Sequence, residues 1–214
     1  MDNSLCQALS FRKQFLAFHG LAEIPASTRD ATLVAMTVFT TIDLDWTGRP
    51  KSIAALLIES AGRRSVIDPG PASTLDSLRS ALRARGLDFR SLDSLLLTHI
   101  HLDHAGASGT MVRENPRLEV YVHESGAQHM ADPSRLLASA GRLYGADLWP
   151  LYGECLPVPA ENLRSLDGGE RLKIGEVELD VFYTPGHASH HVTYWNPASR
   201  TASLHRVQNW PYQS

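Results

Sequence analysis

The chain has 214 residues, enough for one sizeable domain and short for two. Hydrophobic residues make up 43% and charged residues 20%, the balance of a core-forming protein, and a formal net charge of −3 argues against a broad nucleic-acid or membrane-surface role. No run of about 18 apolar residues occurs, so no membrane-spanning helix is expected.

The segment Phe11 to Phe18 mixes basic and apolar residues but lacks a continuous apolar core and a small-residue cleavage pattern, so it does not read as a secretory signal. Asp2, Glu23 and Asp30 weigh against a transit peptide. Residues 1–35 read as an N-terminal extension, either loosely ordered or docked as a helix, and one domain is expected over 36–203. Of the two cysteines, Cys6 lies in this weakly patterned stretch and Cys155 in the domain, so no structural disulfide is expected. A reducing, cytoplasmic location follows as the expectation.

Thr37 to Ile42 is β-branched and reads as a strand, Asp45 to Pro50 as a turn. Ile53 to Ile58 and Ser65 to Ile67 complete a three-stranded meander ending at Asp68-Pro69-Gly70-Pro71. Ser73 is placed to cap a helix, with Asp76 imitating a capping box, Leu75, Leu78, Ala81 and Leu82 on one face, and Gly86 as its terminator. Leu92 to Leu97 is the next strand. Ala105 to Gly109 reads as a tight loop opening into a helix that stops before Pro116, and Leu118 to Val122 alternates like a strand. From Glu124 to about Trp149 the pattern is helical and broken, with Leu136, Leu137, Ala140, Leu143 and Tyr144 on one side. Gly168-Gly169 introduces a hairpin of Leu172 to Ile174 and Val177 to Phe182 about the turn Gly175-Glu176. Val192 to Trp195 is the last clear strand. Strands that flank helices, with several hairpins, indicate a layered α/β fold with a mixed sheet.

The chemistry concentrates in Thr98-His99-Ile100-His101-Leu102-Asp103-His104, directly after Leu95-Leu96-Leu97. Imidazole suits Zn2+ or Fe, and a carboxylate adds a hard, charged donor. In an extended loop, residues two apart point the same way, so His99 and His101 can face one ion. Asp103 and His104 fall a step further on and can face a second. His187 follows Pro185-Gly186, a rigid turn that limits the freedom of its imidazole. His190 reads as a solvent-facing neighbour, and His19, His123, His129 and His205 as structural or exposed.

The loop resembles the His-x-His-x-Asp-His signature of the metallo-β-lactamase-fold superfamily, in particular its glyoxalase II and lactonase-like branch. Asp68-Pro69-Gly70 looks like a segment those proteins place after an early strand, and Thr184-Pro185-Gly186-His187 with His191 looks like their second histidine motif. The similarity runs from about Thr37 to Trp195. It implies an αβ/βα four-layer sandwich with metals at one edge of the paired sheets. It further implies that His99, His101 and His187 hold the first metal, that Asp103 and His104 belong to the second, and that Asp68 orients a histidine, the alternative for Asp68 being a simple turn residue before Pro69. The metal implied is zinc, with Fe or Mn as alternatives.

The chain departs from that pattern near its end. The family's bridging Asp follows a Gly after the strand beyond the second histidine motif, and here no Asp or Glu occurs after Asp180. One complete metal site and one incomplete site are therefore expected, with an incomplete second half-sandwich and an atypical tail at 204–214 that suggests truncation or alteration. The activity expected by resemblance is hydrolysis of a carbonyl ester, thioester or lactone by a metal-bound hydroxide, with Asp103 taking a proton. The expected partner is a small-molecule substrate, not a nucleic acid or a membrane. Loss of the bridging Asp would impair turnover. The alternative is a non-catalytic pseudoenzyme or a zinc-stabilised binding module. Tyr144, Trp149 and Tyr152 either roof an apolar pocket or pack helices onto the sheet.

Overall fold

The computed structural model describes residues 37–203, so the readings made for 1–35 and 204–214, and those for Cys6, His19 and His205, lie outside the described residues. Two sheets face one another. The first has six strands in sequential order: β1 (Val38–Asp43), β2 (Ala54–Ser60), β3 (Arg63–Ile67), β4 (Ser94–Leu96), β5 (Glu119–His123) and β6 (Leu163–Leu166). Its first three strands form the antiparallel meander, and β3 through β6 run parallel. The second sheet has four antiparallel strands: β7 (Arg171–Ile174), β8 (Val177–Tyr183), β9 (Val192–Asn196) and β10 (Thr201–Ser203).

The period of two along each strand divides the interior into two cores. Leu57, Val66, Leu95, Leu97, Val120 and Val122 face helices, packing with Leu78 and Leu82 of α1 (Leu75–Arg83). Ile58, Ile67 and Leu96 face the second sheet and pack with Ile174, Leu179, Val181 and Tyr194. Strand β4 is covered on both sides, which explains the uninterrupted run Leu95-Leu96-Leu97. Tyr194 pins the sheets together by donating its buried hydroxyl to the Leu97 carbonyl at 2.9 Å.

Helices α2 (Leu102–Ala105), α3 (Ser108–Glu114), α4 (Glu124–Ala131), α5 (Ser134–Tyr144) and α6 (Leu148–Tyr152) complete the described elements. Met111, Val112 and Met130 from this group join the helix-facing core of the first sheet. Among the described residues no helix contributes to the core of the second sheet. The described residues thus build one helix layer and both sheets of the αβ/βα arrangement.

Local chemistry differs from the sequence reading in several places. The histidine loop is not extended throughout, because Leu102–Ala105 is helical and α3 already begins at Ser108. Ser73 does not cap α1: it lies in a short 3-10 turn, Ala72–Thr74, and its hydroxyl donates to the Leu151 carbonyl. Tertiary contact there outcompetes the local cap. Strand β6 carries no clear alternation and exists because it extends the parallel edge beside β5. Leu143 points to solvent while Leu136, Leu137, Ala140 and Tyr144 pack inward. His190 is half-buried, and its Nδ1 accepts from the Ile100 N–H at 3.4 Å. Gly86 adopts φ +72° as a terminator should, with Leu87 N–H reaching back to the Leu82 carbonyl.

Candidate metal centre

The site lies at the C-terminal ends of the parallel strands, where open α/β sheets present their functional loops. Asp68 follows β3 and His99 follows β4. Asp68 takes φ +50°, a left-handed conformation that Asp tolerates better than most residues, and its N–H bonds the Leu96 carbonyl. Its Oδ1 accepts the Thr98 N–H at 2.8 Å, and its Oδ2 accepts the Thr98 hydroxyl at 2.6 Å and His104 Nδ1 at 2.9 Å. Asp68 is both the turn residue and the group that orients a histidine.

This fixes a tautomer. The single hydroxyl proton of Thr98 is committed to Asp68, so at its 3.0 Å contact with His99 Nδ1 the hydroxyl accepts. His99 then carries its proton on Nδ1 and directs the Nε2 lone pair inward. Thr98 also joins the two sheets, its carbonyl accepting from Val192 N–H at 2.8 Å. Neither role of Thr98 was legible in the sequence, because both depend on chain segments remote from it.

His99, His101 and His187 converge, one ligand atom from each lying within 4.8 Å of the others. His101 Nδ1 and His187 Nε2 are 3.0 Å apart. His99 is fully buried, and His187 is exposed. Burial pushes the His101 imidazole down to about 4 against the opposing pull of Asp103, so it is neutral at pH 7 with a lone pair to offer. The three-histidine set fits a borderline-soft dication such as zinc, the donor number of a catalytic site with an open position.

His104 and Asp103 form an adjacent line. His104 Nδ1 meets Asp68, and its Nε2 lies 3.4 Å from Asp103 Oδ2. Burial disfavours the charged imidazole, but Asp68 and Asp103 together overcome it and raise His104 to about 10. Burial would raise the Asp103 carboxyl, but the hydrogen bond and charge of His104, with a backbone hydrogen bond and His101, together outweigh it and hold it below the ordinary carboxylate range. The two flanking carboxylates thus favour the protonated form of His104, and a cation using its Nε2 has to displace that proton.

The flanking histidines are held by their own partners. His191 Nδ1 meets the Thr184 hydroxyl at 2.8 Å, and that hydroxyl also meets Thr193. His123 is buried, bonds the Ser125 hydroxyl and stacks on Tyr183 with ring centroids 4.6 Å apart. Tyr152 is buried against Trp46 and Tyr144, whereas Trp149 is 54% exposed. Tyr152 therefore packs helices, as the plainer reading had it.

The chain matches the metallo-beta-lactamase superfamily model over residues 48–203. It is 36% identical over 102 residues to the probable metallo-hydrolase YqgX of Bacillus subtilis, covering 48% of this chain and 43% of that protein. It is 28% identical over 139 residues to the hydroxyacylglutathione hydrolase of Aeromonas hydrophila, covering 65% of this chain and 41% of that one. To the ribonuclease Z of Bradyrhizobium diazoefficiens it is 33% identical over 132 residues, 60% of this chain and 38% of the other. These matches thus span less than half the length of each relative. Among solved structures, the archaeal protein ST1585 from Sulfolobus tokodaii aligns with a TM-score of 0.59 at 22% identity, over 76% of this chain and 61% of that chain. The family model covers strands β2 to β10, the histidine loop and the second histidine turn together, and the chain belongs to the metallo-beta-lactamase superfamily.

Proposed function

We propose that this chain is a metal-dependent hydrolase of a carbonyl ester, thioester or lactone, built around one dication held by His99, His101 and His187. The observation that carries this is the convergence of the three imidazoles at the strand ends. The bound dication, zinc in the leading assignment and Fe or Mn otherwise, supplies Lewis acidity and brings the pKa of a water toward neutrality. His99 is aimed by the Thr98 hydroxyl, and His101 is kept neutral by burial. Asp103 stands beside this set as an ionised carboxylate and is assigned the role of accepting a proton from the attacking water. Asp103 and His104 are assigned to a second, incomplete metal position. The relationship to a hydroxyacylglutathione hydrolase supports a thioester. We assign the chain to a reducing, cytoplasmic setting, consistent with the buried free thiol of Cys155. No helix among the described residues is long and apolar enough to cross a membrane.

A phosphodiester of a nucleic acid is the second reading, favoured by the ribonuclease Z relationship and opposed by the acidic charge balance. The test is turnover of matched thioester, lactone, ester and phosphodiester substrates by the zinc-loaded chain and by His99→Ala. Hydrolysis of a carbonyl substrate that His99→Ala abolishes supports the proposal. Equal rates in both proteins overturn it. Tight zinc binding without turnover indicates a pseudoenzyme, and unfolding on chelation indicates a zinc-stabilised module.

A further inference from the structure

Leu102 separates His101 from Asp103, yet its side chain belongs elsewhere. It is 4% exposed and sits in a separate apolar cluster with Trp46, Leu148, Tyr152 and Cys155. The helix it opens, α2, is four residues long and contains both Asp103 and His104, with His101 as its N-terminal flanking residue. One helical turn has no stability of its own, so its orientation is set by what it is packed against. On one side the His104 carbonyl accepts the Gly70 N–H at 3.0 Å. On the other side the only large apolar side chain of the turn, Leu102, is buried.

The cluster receiving Leu102 is itself braced. The indole N–H of Trp46 and the Ser73 hydroxyl both donate to the Leu151 carbonyl, so two remote segments grip the end of α6. The Trp46 and Tyr152 rings lie 5.4 Å apart and those of Tyr152 and Tyr144 5.0 Å apart. Gly153, at φ +68°, closes the junction where a Cβ would come within 2.7 Å of Ser73 N.

We propose that Leu102 is a positioning residue of the metal site: its burial in the Trp46–Leu148–Tyr152 cluster fixes the rotation of α2, and with it the aim of His101, Asp103 and His104. The inference rests on the metal-site reading given above. Truncating Leu102 leaves every ligand atom in the sequence but lets the turn that carries three of them rotate.

Co2+ alone, titrated into the full chain and followed by its d–d absorption, tests this without turnover. Leu102→Ala is expected to weaken Co2+ binding by about tenfold or more, the usual effect of losing a group that supports a ligand, and to change the d–d band pattern. Leu102→Met keeps the volume and is expected to stay within about threefold of the parent. Leu82→Ala opens a comparable cavity in the main core, under α1, and is expected to lower Tm while leaving Co2+ affinity unchanged. Parent-like affinity and spectrum in Leu102→Ala, or an equal loss in Leu82→Ala, overturns the proposal. Should Leu102→Ala not fold, Leu102→Val carries the same test, with an intermediate weakening expected and parent-like binding overturning it. A parent that binds Co2+ no better than His99→Ala overturns the metal reading itself, and the positioning role with it. That result is distinct from a parent that binds and a Leu102→Ala that binds equally well.

Discussion

Asp68 and His104, separated by 36 positions in the chain, meet carboxylate to imidazole at 2.9 Å, and the same carboxylate holds both the N–H and the hydroxyl of Thr98. One buried anion thereby sets the orientation of His104 directly and of His99 through Thr98. Asp68→Asn preserves the shape but removes the charge and turns one acceptor into a donor. Dication affinity is expected to fall by about 10- to 100-fold, measured by calorimetric titration. Unchanged affinity would show that neither histidine depends on Asp68.

Tyr194 reaches from the second sheet to the first through one hydroxyl. Tyr194→Phe removes the donor, retains the ring and leaves the Leu97 carbonyl one partner short. A loss of about 1–2 kcal/mol is expected in urea unfolding, with the m-value unchanged.

Two glycines should respond in opposite directions to the same substitution. A Cβ on Gly109 would lie 2.1 Å from the Leu156 carbonyl oxygen, so the start of α3 passes directly beneath the segment leading to β6. Gly109→Ala is expected to cost about 2 kcal/mol or more, because backbone has to move. At Gly141, inside α5, a Cβ meets nothing within 4 Å. Gly141→Ala is expected to stabilise by about 0.5–1 kcal/mol through the unfolded-chain entropy and helix propensity. Thermal melts of the two variants side by side give the comparison.

Arg79 holds Glu114 through a paired contact of 2.8 and 2.6 Å and lies over the Phe89 ring at 4.5 Å. The guanidinium lowers the Glu114 carboxyl below its ordinary 4.5. The folded-state value is depressed, so the contribution is fully present above 4.5 and is lost as pH falls through the folded value. Arg79→Ala is expected to cost about 1 kcal/mol at pH 7, since the pair is partly exposed to solvent. That difference should narrow on acidification below 4.5 and in high salt. A stability gap independent of pH would place the effect in the packing on Phe89 instead.

The strands were readable wherever one periodicity governed a segment. The meander, the triple-leucine strand and the hairpin of β7 and β8 each declare themselves by alternation or by an unbroken apolar run. Strand β6 did not, because its partner β5 is remote in sequence and its own residues barely alternate. Ser73 looked like a cap because its local neighbours fit one, and it was recruited instead by a carbonyl 78 positions away. His190 looked solvent-facing because nothing nearby claimed it, while the Ile100 N–H, 90 positions away, does.

By itself the sequence determined the inventory of candidate donors and its order, since donor chemistry and the spacing within His99 to His104 and at His187 are local properties of the chain. It also determined the family, through three motifs in fixed order. Only the tertiary structure decided which of these side chains converge. His187 comes from a different sheet from the histidine loop, and only the facing of the two sheets brings it to within 3.0 Å of His101. The tertiary structure likewise decided the proton positions. The tautomer of His99 depends on Thr98 and Asp68, and the raised pKa of His104 on Asp68 beside its neighbour Asp103, and the contacts of Asp68 with Thr98 form only when β3 and β4 lie side by side. Ligand identity is a property of a residue; aim and protonation are properties of its neighbours, and most of those neighbours are distant in sequence.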